Sequence, residues 1–398
     1  MLFTVLIGII GAAVYSIRMF VLKMKAKIGG GKVEDSADRK EIVIFSDNKR
    51  YWQTFEPIVR ELGKLGRSVT YLTGSEDDPV LNCGYENVEA EYIGTGNKMF
   101  ARLNNLNAVI LFSTTPGLDV YQWKRSSKVK WYVHIAHAPN DITLYRMFGI
   151  DYYDAILLSG SYQTDEIRTL ETVRSLPAKE IEIVGIPYLD EMAKRVKAAG
   201  EIPDHPRTVL LAPSWGKSAI FGVYGGKIID VLLETGYHII IRPHPQSFQS
   251  ETELMDKLMK EYPESDRLEW NRDTDNFEVL RRSDILISDF SGVTFEFSLV
   301  HDKPIIYTDP NFDLSPYDAW WIKEPLWTVG ALPRIGCRLS DENMGDLKTL
   351  IDECISDPAY AEGRRAVKAE TWEHAGEGAA LAAGYLDRKL GELTKEDA

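Results

Sequence analysis

Short, unbroken apolar runs that alternate with amphipathic stretches of helical period restrict the fold of this chain more than any other feature. A strand that reads as continuously apolar is buried on both faces, which is the condition of a parallel sheet covered by helices. The runs Glu41 to Phe45, Ser68 to Leu72, Ala108 to Phe112, Lys130 to Ile135, Ala155 to Leu158 and Glu182 to Val184 are predicted strands. Between the first two, Arg50 to Leu65 is a predicted helix with Phe55, Ile58, Val59, Leu62 and Leu65 on one face. Around AGEIPDHPR, Ala199 to Arg207, prolines and polar residues interrupt the pattern. A second series follows: strand Thr208 to Leu211, helix Gly225 to Glu234, strand His238 to Ile241, helix Glu251 to Tyr262, and strands Ile285 to Ile287 and Ile305 to Tyr307. The chain is therefore α/β, with two doubly wound Rossmann-like domains over 41–199 and 206–340, a cleft between them, and further helices over 341–398.

Composition narrows the partners. A net charge of −14 over 398 residues, with no basic stripe, argues against a nucleic-acid surface, because phosphate neutralisation needs clustered cations. Cys83, Cys337 and Cys354 are widely spaced and form no Cys-x-x-Cys pair, so neither a disulfide framework nor a zinc site is indicated and a reducing compartment fits. At the amino terminus Leu2 to Ile17 carry no charge, and Met19 to Leu22 extend the apolar stretch beyond Arg18. The basic residues Arg18, Lys23, Lys25, Lys27 and Lys32 all follow it, opposite to a cleaved secretory signal. The expectation is a single uncleaved membrane helix within 1–27, a polar linker over 28–40, and a catalytic body on the cytoplasmic side of the cell membrane. A helix lying in the interface is the alternative.

Two strand ends of the second series carry polar groups suited to an anion. In SDILISDFSGVTFEFSLVHDKPIIYTDP the predicted strand runs directly into Asp289-Phe290-Ser291-Gly292 and then a helix carrying Val293, Phe297 and Val300. Ser291 is expected to cap that helix through its hydroxyl and Gly292 to permit a close turn. Free N–H groups of the first turn would then face the space beyond the sheet, where ligands of open α/β sheets collect. Capping alone would explain the same residues. In HIIIRPHPQS, Arg242 offers a forked contact to phosphate and His244 a hydrogen bond to a phosphate or leaving group. A solvated loop stiffened by prolines is the plainer reading, and the two polar ends converge only if their strands lie close together.

Taken together, these segments resemble the CDP-glycerol glycerophosphotransferases, the teichoic-acid primases and polymerases, whose architecture is that of GT-B transferases. DNFEVLRRSDILISDFSGVTFEFSLVHDKPIIYTDP looks like that family's signature, in which a strand ending Ser-Asp-Tyr-Ser-Ser leads to a helix and a Lys-Pro strand. RPHP matches its Arg-x-His-Pro element, LLAPSW its Ala-Pro-Thr-Trp strand end and GIPYLDEM its Gly-x-Pro-Arg-x-Asp segment, over about Lys130 to Pro310. The resemblance implies transfer of glycerol phosphate, or a related polyol phosphate, from CDP-glycerol or another CDP-polyol to a hydroxyl of a lipid-linked or surface-polymer acceptor. CMP leaves, and neither metal nor cofactor is implied. Carried over, Arg242, His244, Ser291 and Gly292 would hold the pyrophosphate, Glu296 would accept from the ribose hydroxyls, and Asp289 would shape the turn. Pro213, Ser214, Trp215 and Lys217 would line the cleft from the first strand end of the domain.

The family's acceptor base is a His-Gly pair in the first domain, matched here by WYVHIAHAPND, where His137-Ala138-Pro139 departs from His-Gly-x-Pro-Leu-Lys. His137, just past a strand, would take the acceptor proton, with a midpoint near 6 to 7 that burial or a neighbouring carboxylate such as Asp141 could move. His134 is the alternative base, a partner in a metal pair, or a residue packed inside the sheet. Asp273-Thr274-Asp275 spells the D-x-D of metal-dependent glycosyltransferases but precedes a helical segment, Asn276 to Arg282, and reads as a helix start. A nucleotide-sugar glycosyltransferase and a non-catalytic binding protein of the same fold are the competing functions.

Overall fold

The computed structural model describes residues 39–273, 275–289, 291–309 and 313–395. The expected membrane helix over 1–27 and nearly all of the linker over 28–40 lie outside the described residues. Among those described, no helix is long and apolar enough to cross a membrane.

Two parallel sheets carry the architecture. The first is seven-stranded in the order β3-β2-β1-β4-β5-β6-β7, from β1 (Lys40–Ser46), β2 (Val69–Thr73), β3 (Val88–Tyr92), β4 (Ala108–Ser113), β5 (Val129–Ile135), β6 (Ala155–Leu158) and β7 (Glu180–Ile183). The second is six-stranded in the order β10-β9-β8-β11-β12-β13, from β8 (Thr208–Leu211), β9 (His238–Ile241), β10 (Leu268–Trp270), β11 (Ile285–Ser288), β12 (Ile305–Thr308) and β13 (Gly336–Leu339). All strand pairs are parallel, with Ile42 against Val69 and Ile110, and Leu210 against Ile240 and Leu286.

The two-residue period of each strand divides its side chains between two cores. Ile42 and Ile44 pack with Phe55, Ile58 and Leu62 on one face, while Val43 and Phe45 pack with Leu103, Trp123 and Tyr132 on the other. Likewise Val209 and Leu211 meet Ile228 and Leu232, and Leu210 and Ala212 meet Phe295, Phe297 and Trp372. The carboxy-terminal helices divide between the halves: Leu347 and Ile351 join the second core, whereas Tyr385, Leu386 and Leu390 return to the first.

A second crossing fixes the halves to each other beside the cleft. Arg146 and Tyr317 form an antiparallel bridge, Asp318 N–H donates to Tyr145 C=O at 2.9 Å, and Met147 N–H donates to Pro316 C=O at 3.0 Å. The fully buried Asp318 carboxylate takes Arg174 at 2.6 Å and the amides of Phe148 and Gly149 at 2.7 and 3.1 Å. Arg174 also pairs with Asp151 at 2.7 Å.

Candidate active site

Strand β8 lies between β9 and β11, so the two polar strand ends flank it instead of touching each other. The loop that follows β8 is held from both sides. Asp289, nearly fully buried at the end of β11, accepts Ser214 N–H on both oxygens at 3.0 Å and Ile220 N–H at 3.1 Å. Burial pushes its carboxyl up, and these donors partly oppose that. Its work is to hold the neighbouring 213–220 loop. On the other side His244 N–H donates to Pro213 C=O at 3.1 Å. Pro213 and Ser214 are buried by this bracing, and Trp215 and Lys217 stand exposed.

The same bracing defines the state of His244. Gln246 N–H donates to its Nδ1 at 3.1 Å, so Nδ1 is an acceptor and the proton of the neutral ring sits on Nε2. Burial, followed by the charge of Arg50, lowers its pKa and keeps it in that form. Arg242 uses part of its fork internally, on the side chain of Asn271 and, at 2.8 Å, on Asp273 C=O. Glu296 is held by the Tyr188 hydroxyl and by Asn276 Nδ2 at 2.9 Å, and burial raises its pKa. Both carboxylate oxygens of Glu296 already have partners.

The helix Val293–Val300 starts differently from expectation. Gly292 occupies its cap position at φ −59°, a conformation open to any residue, and no side chain caps it. Backbone closes the turn instead, Ser291 C=O accepting Thr294 N–H at 3.1 Å and Gly292 C=O accepting Phe295 N–H at 3.2 Å. The Ser291 hydroxyl does not cap the helix, and Gly292 is not required by a tight turn. A Cβ there would meet only Asn140 Nδ2, at 3.9 Å, which marks how closely the first half approaches this helix start.

That approach comes from the segment after β5. Asn140 C=O accepts the Tyr162 hydroxyl at 2.9 Å and Gln163 Nε2 at 2.6 Å, which fixes the 136–141 loop. His137 Nδ1 lies 2.6 Å from Thr114 Oγ1, whose own proton goes to Ile135 C=O at 2.8 Å. With its proton on Ile135 C=O, Thr114 accepts from Nδ1–H, and Nε2 of His137 then keeps its lone pair. His137 retains some solvent contact, but burial and then the Arg50 charge draw its pKa from 6.5 down to about 4. Of the two influences named for its midpoint near 6 to 7, burial is the one at work. The Asp141 carboxylate caps the helix Trp327–Ile335, accepting Trp327 N–H at 2.6 Å and Thr328 N–H at 2.8 Å. His134 sits inside β5 with no exposure, its Nε2 3.2 Å from the Tyr145 hydroxyl and its pKa pulled to about 3 by burial.

Between these walls is a cavity of about 410 Å³, lined by Asn140, Leu144 and Tyr317 with Trp215, Lys217, Asp289, Ser291 and Thr328. That is the size of a small-molecule site. Of the residues singled out in the sequence, Trp215, Lys217, Asp289 and Ser291 line it and Arg242, His244, Gly292 and Glu296 do not, while His137 lines a smaller cavity of about 80 Å³ that shares Asn140 and Leu144 with it. Asp275 caps Phe277 N–H at 3.0 Å and pairs with Arg195, which makes the Asp273–Asp275 motif a helix start. Among the described residues no cluster of three His, Cys, Asp or Glu could hold a metal. Sequence reasoning missed Arg50 and Thr114, which act on His137 from strand ends far along the chain.

Residues 146–319 match the family model described as CDP-Glycerol:Poly(glycerophosphate) glycerophosphotransferase. Over that segment the chain is similar to the CDP-glycerol glycerophosphotransferases. It is 27% identical over 146 residues to a teichoic acid glycerol-phosphate primase of Bacillus spizizenii, covering 34% of this chain and 34% of that protein. The chain thus aligns with about a third of that relative's length. In three dimensions it resembles the wall teichoic acid polymerase TagF, with TM-score 0.57, 16% identity and 91% and 92% of the two chains covered. It also resembles a Methanocaldococcus jannaschii UDP-GlcNAc 2-epimerase, with TM-score 0.57, 12% identity and 87% and 99% covered. At such identities the likeness shows a GT-B-like fold. The matched segment contains the 213–217 loop, Arg242, His244 and Asp289 to Glu296, and begins after His137.

Proposed function

We propose that this chain is a glycerophosphotransferase, moving glycerol phosphate, or a related polyol phosphate, from a CDP-polyol to an acceptor hydroxyl and releasing CMP. The single observation that carries this reading is the pair of opposite tautomers across the cleft: His137 with a free Nε2 lone pair and His244 with a proton on Nε2. The first can only receive a proton and the second can only donate a hydrogen bond, which is the division that phosphoryl transfer to a hydroxyl needs.

In the proposed step the acceptor O–H gives its proton to His137 Nε2 as its oxygen bonds to the phosphorus that carries the polyol. The bond from that phosphorus to the CMP oxygen breaks, and CMP departs with the electron pair while His244 Nε2–H hydrogen-bonds the departing oxygen. Arg242, Lys217, Ser291 and Gly292 border the pyrophosphate, with Trp215 and the Asp289-braced loop Pro213–Ser214 shaping the cleft. Glu296 approaches the ribose. The acceptor is lipid-linked or a surface polymer, and the uncharged stretch Leu2 to Ile17 followed by basic residues supports an anchor that keeps the site at the cytoplasmic face of the membrane.

The test is to incubate the protein with CDP-glycerol, CDP-ribitol and a panel of UDP-sugars and follow nucleotide release. CMP from a CDP-polyol is expected. UDP from a UDP-sugar would instead make the chain a glycosyltransferase, and no release with any donor would make it a binding protein of this fold.

A further inference from the structure

Arg50 brings a cation close to His137 in the first half. It follows β1, at the carboxyl end of the strand beside which the order of the first sheet reverses, where β1 pairs with β4. Asn48 Oδ1 accepts its backbone N–H at 3.0 Å and so fixes the start of the short helical turn Lys49–Tyr51. The guanidinium lies over the ring of Tyr51, 4.7 Å from its centroid, and donates to the Tyr51 hydroxyl at 2.6 Å. The Tyr51 ring in turn stands edge-on to His137 with 4.8 Å between centroids. Arg50 is exposed and makes no ion pair among the described residues. Its charge acts on His137 in the first half and on His244 in the second, so it lies within electrostatic reach of both imidazoles.

We propose that Arg50 is a catalytic residue that contacts the non-bridging oxygens of the phosphoryl group in transit, as a positive charge supplied from the acceptor side. This rests on the glycerophosphotransferase reading. In such a transfer charge spreads over the equatorial oxygens, and a fixed guanidinium there acts more strongly on the transition state than on the bound donor. The position also solves a problem of sign. A cation beside the base disfavours its protonated form at rest, yet the phosphoryl group brought between them screens that repulsion when the proton moves. Stacking on Tyr51 holds the side chain without spending its remaining donors.

The experiment compares wild type, Arg50→Lys and Arg50→Met for donor affinity by calorimetry with CDP-glycerol and for steady-state transfer. Arg50→Met should lower kcat by about 10²-fold, the typical loss for one transition-state donor, with donor affinity near that of wild type. Millimolar guanidinium should restore part of the Arg50→Met rate and leave wild type unaffected, which a merely structural defect would not allow. Arg50→Lys should fall between the two. Wild-type turnover in Arg50→Met, or a loss confined to donor affinity, would overturn the inference while leaving the functional reading intact. A wild-type protein that neither binds nor consumes CDP-glycerol would overturn both.

Discussion

Thr114→Val tests whether the base is held in one tautomer by its neighbour. Thr114 is fully buried, and valine has nearly its shape, so packing is retained while the only acceptor for His137 Nδ1–H, 2.6 Å away, disappears. In the resting enzyme that bond is neutral and is worth roughly 1 kcal/mol. As His137 takes the acceptor proton the ring becomes cationic and the same bond becomes charge-assisted, worth about 1.5–3 kcal/mol. The difference, about 0.5–2 kcal/mol, belongs to the transition state alone and corresponds to a kcat lower by about 2- to 30-fold. Exchange of the proton between Nδ1 and Nε2 adds to the loss. Donor affinity should not change, because the 213–220 loop and the second-half residues are untouched. The assay is CMP release under saturating CDP-glycerol, with calorimetry for the donor and a urea melt for folding. Ile135 C=O also loses its 2.8 Å donor, so a modest stability loss is expected, and Thr114→Ser should recover both properties. A folded Thr114→Val protein with wild-type kcat would refute the tautomer argument.

Four further outcomes follow from the structure. Asp318→Ala leaves Arg174, only 6% exposed, with one carboxylate fewer and strips the amides of Phe148 and Gly149, so urea unfolding should show a loss of about 3–5 kcal/mol; under about 1 kcal/mol would mean the crossing between the halves is not held there. With His137 at about 4, the acid limb of kcat should fall near pH 4 and not near 6.5, and a midpoint above about 6 by pH–rate measurement would contradict its burial. His134 at about 3, His137 at about 4 and His301 at about 4 all sit below their unfolded value of 6.5, so the unfolded chain binds more protons and stability falls as pH drops from about 6.5 toward 4, by up to roughly 1.4 kcal/mol per unit for each; replacing His301 with Gln should flatten that slope in urea melts at pH 7 and 5. Asp289→Asn turns an NH₂ toward the amides of Ser214 and Ile220, and calorimetry should show CDP-glycerol affinity weakened by about tenfold or more, an unchanged affinity removing the 213–220 loop from the donor site.

What was legible in the sequence is what local physics determines. Strands β1, β4, β8 and β11 announced themselves because burial on both faces leaves no polar position to obscure the run. Strand β3, VEAEY, did not, since it is an edge strand with exposed Glu89 and Glu91 on one face, and β10 is only three residues long. His137 was visible as a histidine just beyond a strand, but its proton is placed by Thr114 from the end of β4. How far burial moves its pKa was not legible, because enclosure is a property of the folded cleft, and Asp141 is committed to amides some 186 residues away. Arg50 read as an ordinary polar residue at a helix start. The convergence of Arg242 and His244 with Ser291 depended on a strand order that periodicity does not encode, and β8 turned out to stand between them. Ser291 failed as a cap for a local reason, because Gly292 already has helical dihedrals and the backbone closes the turn unaided.

The most direct test of the account is single-turnover transfer from CDP-glycerol by wild type and His137→Ala, with donor affinity measured on the same preparations. The account predicts CMP release by wild type, a chemical step slowed by about 10²- to 10⁴-fold in His137→Ala, and nearly equal donor affinity in the two. An active wild type whose His137→Ala variant turns over at the same rate would contradict it.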